Sequence, residues 1–99
     1  MLMIIGERLP PKLHGYLSQI LLEIAPQTFV GVVSTRVRMQ LCADMRRQLG
    51  PLGAATVVYT CNTTQGYTIT VYGQTSYVPV ECDGLQLMSA RRITPLDEK

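Results

Sequence analysis

The stretch LMIIGERLPPK, residues 2–12, determines how the fold begins, because it joins a buried strand to the start of a helix. Residues 2–5 are apolar without alternation, which is typical of a central strand covered on both faces. Pro10 and Pro11 predict a helix start, since the amide hydrogen that proline lacks would be unpaired in a first turn anyway. The predicted helix covers residues 12–24 and ends at Ala25-Pro26. Its apolar stripe at helical spacing is Leu13, Leu17, Ile20, Leu21 and Ile24.

A second strand and helix follow the first pair. Residues 28–33 are rich in β-forming side chains, and Ser34 is a favourable N-cap for the helix that comes next. Gly50-Pro51 ends this helix. Its predicted buried face takes every fourth residue: Val37, Leu41, Met45 and Leu49.

The C-terminal part of the chain has the pattern of strands joined by tight loops. Residues 55–61 and 67–72 are β-rich, and the polar loop between them predicts a hairpin. A short last strand is predicted at residues 85–88, after the Asp83-Gly84 turn. Residues 91–99 are polar and predict a flexible tail.

Together these elements predict an α+β fold. Two strand–helix units followed by a hairpin favour a ferredoxin-like sandwich, with both helices on one face of a four- to five-stranded sheet. The chain has 99 residues, so we expect one domain over residues 1–90. The uncovered sheet face needs a partner, and a second copy of the chain is the simplest one. We therefore expect a homodimer that packs through its sheets.

Charge and cysteine content narrow the possible environments. Nine Lys and Arg residues against seven Asp and Glu residues give a net charge of +2, which alone does not require nucleic acid. The three cysteines are far apart and form no Cys-x-x-Cys motif, so we do not expect a zinc site. An odd number of cysteines without a pattern is typical of a protein in the reducing cytoplasm. The N-terminal apolar run is too short for a signal peptide or a membrane span. We expect a soluble cytoplasmic protein that does not bind membranes.

Basic residues cluster at the two predicted helix starts. Arg36 and Arg38 follow the Ser34 cap, where a cation opposes the helix dipole at a cost of roughly 0.3–1 kcal/mol. Phosphate would compensate, because it accepts from arginine and from free backbone N–H groups. Lys12 and His14 repeat this arrangement on the first helix. The alternative is that the two arginines are ordinary solvated side chains and that His14 is a surface residue or a satisfied core residue.

Glu7 is a candidate metal ligand and catalytic residue, because it ends a buried strand. One carboxylate cannot hold Mg²⁺ well, since the ion prefers six oxygen ligands. Two Glu7 side chains that face each other across a twofold axis could share one ion and activate a phosphate or a water. The alternative is a structural acid that pairs with Arg8 or Arg36.

Three tyrosines lie on the predicted strands, at positions 59, 67 and 72. Aromatic side chains on a sheet can stack on single-stranded bases. They are also ordinary strand residues that pair across a sheet. Since no basic residue occurs between positions 54 and 80, the sequence favours the structural role.

Several motifs, taken in order, resemble one known family. They are Glu7-Arg8-Leu9-Pro10-Pro11-Lys12-Leu13-His14-Gly15, Leu21-Leu22-Glu23-Ile24, Phe29-Val30-Gly31, Val33-Ser34-Thr35-Arg36-Val37-Arg38, Thr60-Cys61-Asn62-Thr63, Gly66-Tyr67, Gly73, Pro79-Val80 and Asp83-Gly84-Leu85. The chain resembles the E-subtype branch of Cas-two, the small CRISPR adaptation protein, over residues 2–89.

The resemblance implies a ferredoxin-like homodimer that acts in spacer acquisition. In that family the dimer bridges two dimers of the Cas-one integrase and grips the backbone of a duplex protospacer DNA. Lys12, His14, Arg36 and Arg38 match the positions that contact this backbone. Asp83 and the strand after it, which begins at Leu85, match the segment that docks on the integrase.

The family is also described as metal-dependent nucleases of RNA or DNA, and Glu7 holds the place of their strand-end acid. The chain departs from the family pattern at His14 and Tyr16, where relatives often carry arginine, and at Ser76-Tyr77, which replaces a basic pair. The sequence therefore leaves three functions open. They are an architectural adaptation subunit, a magnesium-dependent endonuclease and a ferredoxin-like RNA-binding or regulatory module.

Overall fold

A computed structural model of the chain describes residues 1–62, 64–73, 75, 77–82 and 85–90. Within this part of the chain, no helix is long and apolar enough to cross a membrane. In chain order the elements are β1 Leu2–Glu7, α1 Pro11–Ile20, β2 Leu22–Ala25, β3 Thr28–Gly31, α2 Thr35–Gln48, β4 Ala54–Thr60, β5 Tyr67–Tyr72, β6 Tyr77–Cys82 and β7 Leu85–Ala90.

The main sheet has five strands in the order β2-β3-β1-β4-β5, and its neighbouring strands pair antiparallel. Up to β4 the chain runs β-α-β-β-α-β, which is the ferredoxin-like connectivity. β5 extends the sheet beyond β4, and β6 and β7 pair with each other as a separate two-stranded sheet. The predicted α+β, ferredoxin-like fold is confirmed, with five strands in the main sheet.

Both helices cover the same face of this sheet. Leu13 and Leu17 of α1 join Leu41 and Met45 of α2 in one buried cluster, together with strand residues Leu2, Ile4, Phe29, Ala55 and Val57. Because side chains alternate along a strand, the remaining residues of β1 face the other way. Met3, Ile5 and Glu7 therefore lie on the face opposite the helices.

The first helix is shorter than the sequence pattern predicts. It ends at Ile20, because Leu21 adopts an extended backbone, and the residues up to Ala25 form β2 against β3. Leu21 is buried against Gly31, where an added Cβ would lie 2.7 Å from the leucine side chain. The prediction of a helix to residue 24 was wrong. The apolar residues after Leu21 suit a helix or a strand, and in the structure they pair with β3.

The second helix begins where the sequence places it. The backbone N–H of Val37 donates to the Ser34 hydroxyl at 3.1 Å, which is an ordinary N-cap. Leu41, Met45 and Leu49 are buried as predicted, whereas Val37 is 40% exposed. Val33, just before the cap, packs against the core. The preceding strand accordingly ends at Gly31 rather than at residue 33, and the buried stripe begins one turn later than expected.

The sheet face opposite the helices keeps exposed apolar side chains on its β1–β2 side. Leu22 pairs with Val30, which pairs with Met3, so these three form a row across that face. Leu22 is 67% exposed and Ile5 is 39% exposed. Large apolar groups concentrated on one sheet face are typical of a surface that another molecule covers. We call this surface, defined by Met3, Ile5, Leu22 and Val30, the open face.

Candidate functional site

The two helix starts lie at opposite ends of the sheet. Leu2 pairs with Gly31 and Ile5 pairs with Thr28, so β1 and β3 run in opposite directions. α1 follows the end of β1 and α2 follows the end of β3, which separates the two starts by roughly the length of β1, about 17 Å at ~3.3 Å per residue. Within one chain the four predicted phosphate contacts are therefore divided into two pairs.

The start of α1 is electropositive and carries no side-chain cap. Pro10 and Pro11 have no amide hydrogen, no acid occupies the first turn, and Lys12 is exposed. The Arg8 guanidinium donates through Nε to the Leu52 carbonyl at 2.8 Å, which keeps a second cation at this end of the sheet. Sequence reasoning treated Arg8 only as a possible partner of Glu7 and missed this position.

His14 is engaged in a contact that ties α1 to β2. Its Nε2 lies 2.9 Å from Glu23 Oε2, and the same carboxylate oxygen accepts from the Gln27 N–H at 2.8 Å. The hydrogen bond with His14, followed by that from Gln27, lowers the pKa of Glu23. The imidazole also meets the Phe29 ring edge-on at 5.5 Å. His14 remains partly exposed, so contact with a phosphate would compete with Glu23.

Tyr16 connects the two helices. Its hydroxyl donates to Asp44 Oδ2 at 2.7 Å, while Asp44 Oδ1 accepts from Gln40 at 3.0 Å and from Arg47. The hydrogen bond from Tyr16, opposed by partial burial and helped by Arg47, lowers the pKa of Asp44. The same hydrogen bond raises the pKa of Tyr16. Tyr16 therefore belongs to a structural network between the helices.

The two arginines at the start of α2 have different surroundings. Arg36 is exposed, and the described part of the chain offers it no ion-pair partner. Arg38 is half-buried, with its guanidinium carbon 3.8 Å from the centre of the Tyr59 ring. Two residues along a helix differ by about 200° in direction, which explains why the pair diverges. Only Arg36 extends freely from the helix start.

Arg38 forms one end of a groove between α2 and strands β4 and β5. Arg46 forms the other end, with its guanidinium carbon 5.7 Å from the centre of the Tyr72 ring. Cys42 lies between the arginines and shares a side-chain hydrogen bond with Tyr72, and the groove encloses about 260 Å³. Burial raises the pKa of the Cys42 thiol and of the Tyr72 phenol. Both groups are therefore neutral at pH 7.

The model of the family described as CRISPR-associated protein (Cas_Cas2CT1978) matches residues 1–87. The match covers almost the whole ferredoxin-like fold. The chain belongs to this CRISPR-associated family. Membership supports a role in CRISPR adaptation, which agrees with the resemblance seen in the sequence.

Glu7 of this CRISPR-associated protein lies on the same side of the sheet as Met3 and Ile5. Its side chain is 23% exposed, and Arg8 Nη1 lies 3.7 Å from its carboxylate. Among the described residues, no group of three or more His, Cys, Asp or Glu side chains could hold a metal ion. Glu7 on its own does not fit Mg²⁺, because the ion prefers six oxygen ligands. A magnesium site here would need further ligands, such as the Glu7 of a second copy.

Of the two predicted integrase-docking residues of this CRISPR-associated protein, Leu85 is among the described residues and Asp83 is not. Asp83 lies outside the described residues, as do Ser76 and the predicted tail at residues 91–99. Leu85 begins β7, and its backbone pairs with Cys82.

Sequence reasoning missed the Arg38–Arg46 groove, because its tyrosines lie on strands that no sequence spacing connects to α2. The eight-residue interval between the arginines was the only local signal.

Proposed function

We propose that this protein is an architectural subunit of CRISPR adaptation, of the type I-E branch. In this proposal two copies form a homodimer through their sheets, bridge dimers of the Cas-one integrase, and hold the backbone of a protospacer duplex. The open face carries the proposal, because a second copy packed on it would bury apolar side chains that one chain leaves exposed. Family membership supports the adaptation role.

The distribution of cations suits contact with the DNA backbone. Lys12 and Arg8 lie at one end of the sheet and Arg36 at the other, and twofold symmetry would repeat both groups. Cations spread along a particle can follow the phosphates of a duplex, whereas base reading needs several side chains converging on one groove. Binding by this mechanism is independent of DNA sequence and weakens as salt rises.

Retention of duplex DNA by the assembled complex tests this function. The chain is purified with a Cas-one integrase and mixed with a double-stranded oligonucleotide in dilute buffer. We expect retention that falls with salt, and a smaller salt dependence for the Lys12→Gln, Arg36→Gln double variant. Lys12 and Arg36 are exposed, so the fold of this variant should be unchanged. Failure to retain the duplex even in dilute buffer would end the proposal.

A magnesium-dependent endonuclease is the second candidate. Glu7 lies on the side of β1 that faces away from the helices, so two chains packed through the open face would bring two carboxylates towards their interface. A shared Mg²⁺ would polarise a phosphodiester or lower the pKa of a bound water. Cleavage of labelled RNA and DNA is compared with Mg²⁺, with a chelator, and for Glu7→Gln. Activity that the chelator abolishes and Glu7→Gln retains would exclude this mechanism.

A further inference from the structure

The groove between α2 and strands β4 and β5 combines Arg38, one of the predicted backbone contacts, with Arg46, which the adaptation role does not use. Arg38 and Arg46 form its two ends, and each guanidinium lies over a tyrosine ring, 3.8 Å from the centre of Tyr59 and 5.7 Å from the centre of Tyr72. The face of a tyrosine ring attracts a guanidinium without using its N–H edges, which stay available for an anion. The rings thus draw both arginines to the groove without neutralising their charge.

No negative charge balances these arginines within the described residues. The lining of the groove contains no Asp or Glu, and neither arginine forms an ion pair in that part of the chain. Cys42 and Tyr72 are the ionisable neighbours from α2 and β5, and burial favours the neutral form of both. The groove therefore presents two positive charges to any ligand.

The spacing of the two arginines along α2 determines which ligand can contact both of them. Eight residues of α-helix span about 12 Å at ~1.5 Å per residue. Four residues of an extended chain span about 13 Å at ~3.3 Å per residue, and alternate side chains point to the same side. An extended segment with acidic residues four positions apart would therefore reach both arginines at once. Its middle residue would meet the exposed apolar side chains of Met39 and Ala43, which line the groove.

We propose that this groove binds an extended acidic segment of a partner protein, with two carboxylates four residues apart and an apolar residue midway between them. Carboxylates suit guanidinium edges because both can form two parallel hydrogen bonds. A single nucleic-acid strand fits less well. Arg38 already covers the Tyr59 ring, and the apolar side chains of Met39 and Ala43 offer no hydrogen-bond donors to a sugar–phosphate chain.

A labelled synthetic peptide tests the proposal by fluorescence anisotropy at low salt. The peptide has seven residues, with glutamate at the second and sixth positions, leucine at the fourth and small polar residues elsewhere. The control peptide has the same composition with its glutamates adjacent. We expect Arg38→Met and Arg46→Met each to weaken binding about tenfold, which corresponds to roughly 1.4 kcal/mol. Arg36→Met, the same change on the same helix outside the groove, should have no effect.

A further variant separates loss of binding from damage to the fold. Ala43 is exposed on α2, so Ala43→Glu should block the groove with its own carboxylate while both arginines and the core remain. Equal binding to all variants, or no binding of the peptide to the wild-type chain, would overturn the proposal. So would an oligothymidine strand that depends on Arg38 and Arg46 when the peptide does not. Because Arg46→Met should leave duplex retention intact, failure here is distinguishable from failure of the adaptation role.

Discussion

Truncating Leu22 to alanine should weaken the proposed homodimer while leaving the folded chain intact. Leu22 is 67% exposed, and full burial of a leucine contributes roughly 1.5–3 kcal/mol. Since alanine keeps the Cβ, the loss is about 1–1.5 kcal/mol in each copy, and twofold symmetry doubles it to about 2–3 kcal/mol. The dimer dissociation constant should therefore rise about 30- to 150-fold.

Sedimentation equilibrium over a range of protein concentrations measures this change. Leu52→Ala is the matched control, because Leu52 is 73% exposed but lies in the turn between α2 and β4. Urea unfolding checks the fold of both variants, and each should differ from the wild type by less than about 1 kcal/mol, as is usual for surface positions. Unchanged dimerisation of Leu22→Ala, or a wild-type chain that is monomeric throughout, would refute packing through the open face.

Three further predictions concern DNA, acquisition and acid stability. Replacing Arg36 and Arg38 together with alanine should weaken duplex binding alike for all sequences and reduce the logarithmic salt slope by about 0.9 for each phosphate that is no longer neutralised; weaker binding to one sequence only would contradict backbone contact. Glu7→Ala should leave spacer acquisition intact if the role is architectural, and an assembled complex that no longer acquires spacers would show otherwise. His14 lowers the pKa of Glu23 from its ordinary 4.5, so this carboxylate stabilises the fold above that pH and the contribution is lost as pH falls through the folded pKa. Glu23→Gln should therefore flatten the acid side of a urea-stability profile, and an unchanged slope would contradict the contact with His14.

Local signals were sufficient where the chain carries its own start and stop residues. A serine side chain can cap a helix through a local hydrogen bond that needs no distant residue. The hydrogen bond from the Val37 N–H to the Ser34 hydroxyl confirms the predicted start of α2. The prolines at positions 10 and 11 predicted the start of α1 for a similar reason, because ring geometry fixes their backbone. The hairpin of β4 and β5 also follows from two β-rich runs joined by a short polar loop.

Local signals failed where two elements compete for the same apolar residues. Leu22 and Ile24 suit a helix stripe by spacing and a strand by side-chain type, so periodicity alone could not decide between them. The edge of β3 favours the strand, because pairing with β2 satisfies the backbone groups along that edge of β3. β6 was missed as well, and its pairing with β7 is equally a property of two segments together.

The candidate sites divide in the same way. Alternation along β1 follows from the sequence once the strand is assigned, so the side of the sheet that Glu7 faces could have been predicted. The partners of His14 and Tyr16 could not, because Glu23 was assigned to a helix and Asp44 lies 28 residues from Tyr16. Such contacts depend on how α1 packs against its neighbours, which no spacing records.

The sequence by itself determined the strand–helix units, the cap of α2 and the membership of a CRISPR-associated family, because each depends on short motifs and their order. Only the tertiary structure decided that the helix starts lie at opposite ends of the sheet and that Arg38 and Arg46 lie over the Tyr59 and Tyr72 rings. The physical reason is that antiparallel pairing joins residues far apart in the chain. Strand direction and register are set by burial of the whole core rather than by any one segment.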